Sequence, residues 1–152
     1  DARQLPFPDK CAHLIVTSPP FLNKADYILD NWLELWFLGI PEEQVRAGVV
    51  QTASLKQWRE FMKPAIAEMD RVLRRDGVAV IEVGEVAMGK EVIYLDEVIV
   101  KIAEELSGEG CRLAVERVMI HQQRFTKLAN CFSIDNNKKG TNTHRLVVLR
   151  KK

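Results

Sequence analysis

The chain has 152 residues, 47% of them hydrophobic and 28% charged, with 22 Lys and Arg against 21 Asp and Glu. That composition suffices for one domain with a sizeable core and excludes a disordered chain. No run of about 18 residues is free of charge, which excludes an apolar membrane-spanning helix. Residues 1–9 carry turn residues and no helical period. Ala12-His13-Leu14-Ile15-Val16 is a short apolar run closed by Ser18-Pro19-Pro20, and it predicts a buried strand that cannot continue, since neither proline can donate to a ladder. Residues 26–38 form a helix-like block with Gly39 and Pro41 as its stop. Ser54-Leu55-Lys56-Gln57 is a capping box opening a helix with Trp58, Phe61, Met62, Ala65, Met69, Val72 and Leu73 on one face. Pro64 falls inside that pattern, where it predicts a kink or a false start.

Arg75-Asp76-Gly77 ends that helix, and Val78 to Val83 is nearly continuous apolar sequence, as in a central parallel strand covered on both faces. Val92, Leu95, Val98, Ile99, Ile102 and Leu106 repeat at helical spacing. Cys111 to Gln123 and Leu146 to Leu149 read as two further strands. Residues 124–144, polar and basic, connect them without a helix, so the last strand should run antiparallel to its neighbour. Residues 1–152 therefore read as a single α/β domain.

Charge is unevenly divided. Residues 1–110 hold 12 basic and 19 acidic side chains, whereas residues 111–152 hold 10 and 2. A basic final part on an acidic chain suits a polyanion-facing surface, or else a merely solvated one. The three cysteines, Cys11, Cys111 and Cys131, are odd in number and widely spaced. They fit reduced, mostly buried thiols in a cytoplasmic protein, and no secretory leader pattern opens the sequence. His13, His121 and His144 are scattered, so no metal site is expected. Trp32, Trp36 and Trp58 read as core and helix-packing residues.

One segment carries chemistry: Val16-Thr17-Ser18-Pro19-Pro20-Phe21. In α/β sheets, ligands bind at the carboxyl ends of strands. Two consecutive prolines fix the backbone and present carbonyls as acceptors. A hydroxyl beside those carbonyls suits an exocyclic amine, and the adjacent aromatic ring suits a stacked base.

The segment closely resembles the catalytic motif of the amino-group DNA methyltransferases, which modify cytosine N4 or adenine N6 with S-adenosylmethionine. Arg71-Val72-Leu73-Arg74-Arg75-Asp76-Gly77 resembles that family's helix-to-strand junction, and Thr141 to Leu149 its closing strand. Leu22-Asn23-Lys24-Ala25-Asp26-Tyr27 resembles a subgroup with Leu-Asn-x-x-Asp-Tyr after the motif. The resemblance implies a Rossmann-like S-adenosylmethionine methyltransferase sheet from the fourth strand onward. It implies that Ser18 and the Pro19 carbonyl accept from the target amine, Pro20 stiffens the turn, and Phe21 stacks on a flipped base. It places Asp1 and Thr17 on the cofactor side and makes DNA the partner, with Arg124, Lys127, Lys138, Lys139 and Arg145 as contacts. Ser at the first motif position is the form associated with cytosine N4. Adenine N6, guanine N2 of RNA, and a non-catalytic nucleic-acid-binding or assembly remnant are the alternatives.

The glycine-rich turn that holds the methionine end of the cofactor is absent from its expected context. Gly108-Glu109-Gly110 lies between a helix and a strand, and Gly84 to Gly89, with Glu116 as a ribose ligand, is a weaker imitation. The chain thus reads as the target-binding half of a larger or permuted catalytic domain. A homodimer or a complementary chain carrying the cofactor motif would then cover residues 13–17 or 28–38, with Trp36 and Phe37 against the missing half. Glu82 and Glu85, at the end of the following strand, offer carboxylates to contact a base or order a loop, or else are solvated loop acids.

Overall fold

The computed structural model describes residues 1–22, 26–88, 91–122 and 143–152. Its elements in chain order are β1 (Ala12–Thr17), α1 (Tyr27–Asp30), α2 (Trp32–Leu38), α3 (Glu42–Gly48), α4 (Leu55–Val72), β2 (Leu73–Val83), β3 (Glu85–Met88), β4 (Glu91–Tyr94), α5 (Leu95–Gly108), β5 (Leu113–Gln122) and β6 (Thr143–Lys151). Four strands form one sheet in the order β1-β2-β6-β5, and β3 pairs with β4 apart from it. β1 runs parallel to β2, while β6 is antiparallel to both β2 and β5, as the sequence pattern predicts.

The core lies on one face of this sheet. Trp58, Met62, Ile66 and Met69 of α4 and Leu95, Ile99 and Ile102 of α5 meet Ala79, Ile81 and Val83 of β2 and Val147 and Leu149 of β6. Burial alternates along β2, with Val78, Val80 and Glu82 turned to the other side and only half-buried. The continuous apolar run therefore has one covered face among the described residues, not the two its composition suggested. On the open side Leu14 and Val16 of β1 are 59% and 69% exposed, and β1 is an edge strand.

Several local expectations are corrected. The block 26–38 breaks at Asn31 into α1 and α2, with Asp26 capping α1 by accepting from the backbone N–H groups of Ile28 and Leu29. Trp32 and Trp36 are 60% and 74% exposed rather than core, and only Trp58, at 1%, is buried. α4 continues past Pro64 without interruption, so that proline is no false start; it lies on the exposed face, where water can reach the carbonyl it leaves without a donor. Only half of the capping box forms: Ser54 accepts from the Gln57 N–H, but the Gln57 side chain accepts from Thr52 instead. Val92 belongs to β4, not to the helix that follows, and is exposed. β2 begins five residues before Val78. Where the register slips between Ala12 and Leu14, Asp76 takes a positive φ, and a Cβ on Gly77 would meet the Arg74 carbonyl at 2.8 Å. Cys11 and Cys111 are free and half-buried, and Cys131 lies outside the described residues.

The segment before β1 is held along α4 by charge. Arg71 donates to the Leu5 and Phe7 carbonyls and to Asp9, and pairs with Glu68, which also accepts the Leu5 N–H at 2.7 Å. The Arg71 guanidinium, with the Leu5 N–H, holds the Glu68 carboxyl down at about 2. A depressed carboxyl stabilises the fold above its unfolded value near 4.5, and that contribution is lost as pH falls from there toward about 2. Exposure of Arg71 to solvent screens the pair, so only part of the shift counts toward stability. Glu68→Gln is expected to lower urea stability at pH 7 and to do so much less near pH 2. An equal loss at both values would contradict this assignment.

Candidate functional site

The parallel pairing of β1 with β2 and the antiparallel return of β6 bring three termini to one end of the sheet: Thr17, Val83 and Thr143. Ser18-Pro19-Pro20-Phe21 leaves β1 at this end. Pro19 is buried, Pro20 and Phe21 are half-buried, and Ser18 is exposed. The Trp58 indole, from the first turn of α4, donates to the Pro20 carbonyl at 2.8 Å, and the Phe21 N–H donates to the Tyr27 hydroxyl at 3.2 Å. Leu22, fully buried, plugs the turn into the core. The Trp58 bond thus engages the Pro20 carbonyl within the protein.

Two acidic groups sit around the same end. Glu82 of β2 accepts from Nδ1 of His144 at 2.5 Å, and the His121 ring lies 6.5 Å from that of His144. Glu85 accepts from the Thr143 hydroxyl and lies 3.7 Å from Nε of Arg145. Arg145 also grips both carboxylate oxygens of the buried Asp96 at 3.0 and 3.2 Å, and its guanidinium lies 4.2 Å from the centre of the Tyr94 ring. One arginine thus ties the start of β6 to β4, to α5 and to the residue after Gly84.

The structure brings Thr17, Ser18, Pro19, Pro20 and Phe21 together, with Thr17 facing the core side of β1 beside Ile81. Asp1 binds its own neighbour Arg3, which stacks over Phe61 of α4, one turn beyond Trp58. Arg145 is at the motif's end of the sheet, but its guanidinium is engaged inside the protein. Arg124, Lys127, Lys138 and Lys139 lie outside the described residues. Gly84 does not lead into a helix: β3 follows it, and α5 starts only at Leu95, whose N–H donates to the Gly84 carbonyl. The Gly84 segment therefore lacks the strand–turn–helix form of a cofactor loop.

Trp58 and Tyr27 are the functional supports that sequence reasoning missed. Trp58 carried only a core signature, and nothing in its spacing reveals that its N–H reaches 38 residues back. Tyr27 did carry a signal, as the last residue of Leu22-Asn23-Lys24-Ala25-Asp26-Tyr27. Asp26 in the same run has its carboxyl held below the ordinary range, first by the Leu29 backbone N–H and then by the Gln51 side chain.

Comparison with known proteins bears on this geometry. A family model described as DNA methylase matches residues 12–152. Among solved structures, a candidate DNA modification methylase from Thermus thermophilus superposes with a TM-score of 0.58 at 21% identity, over 99% of this chain and 50% of that one. The same protein complexed with S-adenosyl-L-methionine gives 0.55 at 19% identity, over 99% and 53%. The PvuII cytosine-N4-specific DNA methyltransferase gives 0.58 at 14% identity, over 97% and 45%. At these identities the likeness shows the fold, a Rossmann-like methyltransferase sheet. The chain spans about half the length of the structures it matches. No curated protein is matched.

Trp58→Phe keeps most of the buried ring but removes the donor to Pro20. It is expected to lower stability by about 1–2 kcal/mol in urea denaturation. A stability equal to the parent's would show that the indole N–H does not hold the turn.

Proposed function

The chain belongs to the DNA methylase family, and from that premise we propose that it is the target-binding half of an S-adenosylmethionine-dependent methyltransferase. Its target would be an exocyclic base amine in DNA, in first place cytosine N4. The observation that carries this reading is the turn Ser18-Pro19-Pro20-Phe21 at the carboxyl end of β1, stiffened by Trp58 and Tyr27. The Ser18 hydroxyl and the Pro19 carbonyl accept the two amine hydrogens, which turns the nitrogen lone pair toward the methyl group. Phe21 stacks on the base once it leaves the helix, a contact worth roughly 1–3 kcal/mol. Rate enhancement then rests on positioning and on fixed acceptors. Ser18 at the first motif position favours cytosine N4 over adenine N6.

The residues present fit only the methyl-facing side of an S-adenosylmethionine site. Thr17 and the end of β1 furnish one wall, with Asp1 assigned to it by resemblance, and nothing among the described residues forms the glycine turn that the methionine end needs. When bound, the cofactor supplies a sulfonium methyl that needs no metal and no covalent intermediate. The remaining half, whether further along the same protein, on a complementary chain or on a second copy, has a prepared seat. β1 offers an unpaired edge, Leu14 and Val16 are exposed, and Trp36 and Phe37 stand 74% and 80% exposed on α2. Residues 1–152 thus act as one unit of a larger catalytic domain. Arg124, Lys127, Lys138 and Lys139 are proposed to meet DNA phosphates.

Two outcomes test the reading. Titration calorimetry of the isolated 152-residue chain should give no S-adenosylmethionine binding tighter than about 100 μM, roughly the level at which one wall of a site is felt. Low-micromolar binding would move the cofactor site onto this chain. In the complete protein, Ser18→Ala should cut turnover by about 10²–10³ while duplex binding stays unchanged. Full turnover by that variant would overturn the reading.

A further inference from the structure

The amine contacts leave one chemical task unassigned. A nitrogen that gains a methyl group carries an extra proton, and neither a serine hydroxyl nor a peptide carbonyl can keep it at neutral pH. Three carboxylates stand near the motif's end of the sheet. Asp96 is buried and bound by Arg145, and Glu85 is bound by Thr143 and Arg145, so both belong to the brace that starts β6.

Glu82 is placed differently. Thr17 of β1 is the register partner of Ile81 of β2, so Ser18, the first residue past β1, and Glu82, the next residue of β2, come at the same end of the sheet. Adjacent strands are about 4.8 Å apart. Successive side chains alternate between faces, which turns Glu82 away from the buried Ile81 and toward the open face. Arg145 faces Asp96 on the core side, and its neighbour His144 faces the open side, where Nδ1 donates to Glu82 at 2.5 Å. Glu82 is thus held by His144 from β6 at the end of the sheet where the Ser18 turn leaves β1, and remains partly exposed. An ionised carboxylate is acceptor-only, so His144 must present its Nδ1–H, which fixes the tautomer of the ring.

We propose that the Glu82–His144 pair takes the proton released by the target amine. This rests on the methyltransferase reading above. The amine nitrogen spends its lone pair on the new N–C bond while the C–S pair returns to the donor's sulfur. The N–H pair then stays on nitrogen and the proton passes to the Glu82 carboxylate. His144 is the positioning residue: it holds the carboxylate against the Ser18 side of the sheet and stabilises its charge before transfer.

The test uses the complete protein and tritium transfer from labelled S-adenosylmethionine to unmethylated bulk genomic DNA. Glu82→Gln is expected to lower kcat about 100-fold or more, with the KM for DNA within about threefold, as for loss of a general base. Glu82→Asp should recover about tenfold of that loss, which a packing role would not produce. Nitrogen NMR of the histidine rings gives a readout independent of turnover: His144 should carry its proton on Nδ1 in the parent and lose that preference in Glu82→Leu, which offers Nδ1–H no acceptor at this position. If Glu82→Gln does not fold, Glu82→Asp and His144→Asn decide, and parental rates for both would overturn the proposal. A parental rate for Glu82→Gln beside an inactive Ser18→Ala would overturn this inference alone. Parental rates for both would bring down the methyltransferase reading itself.

Discussion

Two adjacent prolines at the end of a parallel strand govern the rest of the site. Pro19 and Pro20 cannot donate to a ladder, so β1 must stop at Thr17 although β2 continues beside it to Val83. A chain released there would ordinarily sample many paths. It is held because the Trp58 indole takes the Pro20 carbonyl and the Tyr27 hydroxyl takes the Phe21 N–H. Both anchors come from the crossover that follows the strand, and Leu22 seals the turn into the core. The turn is therefore held by the protein's own contacts, which is the condition that the proposed function places on its acceptors.

The second organising fact is that, among the described residues, the sheet is covered on one side only. α4 and α5 cover one face, and the ion cluster of Arg145, Asp96 and Glu85 locks the start of β6 to that covered side. The opposite face and the β1 edge carry Leu14, Val16 and half-buried Val80, and α2 turns Trp32, Trp36 and Phe37 outward. Folded proteins rarely leave so much apolar surface beside an open strand edge. The proposed reading of the chain as a domain half accounts for both features at once.

Sequence patterning served well wherever burial and period agree. β1 was legible because an apolar run met two prolines, α4 because its apolar face persisted for five turns, and antiparallel β6 because the sequence of residues 124–144 carries no apolar helical period. The motif was legible because its residue types are chemically unusual together. What escaped had opposed or non-local causes. Val78 to Val83 is apolar on both faces although the described residues cover only one, so composition overstated its burial. Trp32 and Trp36 follow a helical spacing that reports a face, not what that face meets. The bond from Trp58 to Pro20 and the pairing of Glu82 with His144 join residues 38 and 62 apart in sequence, a separation no local pattern encodes. Arg145 looked like one more cation of a basic segment until Asp96 and Tyr94 were seen around it.

The central claim is that Ser18-Pro19-Pro20-Phe21 presents a base amine for methylation. Mass spectrometry of nucleosides from host DNA, after expression of the complete gene beside its Ser18→Ala variant, tests this most directly. The account requires N4-methylcytosine in the parent and its loss in the variant. Equal levels of modified base in both, or none in the parent, would contradict it.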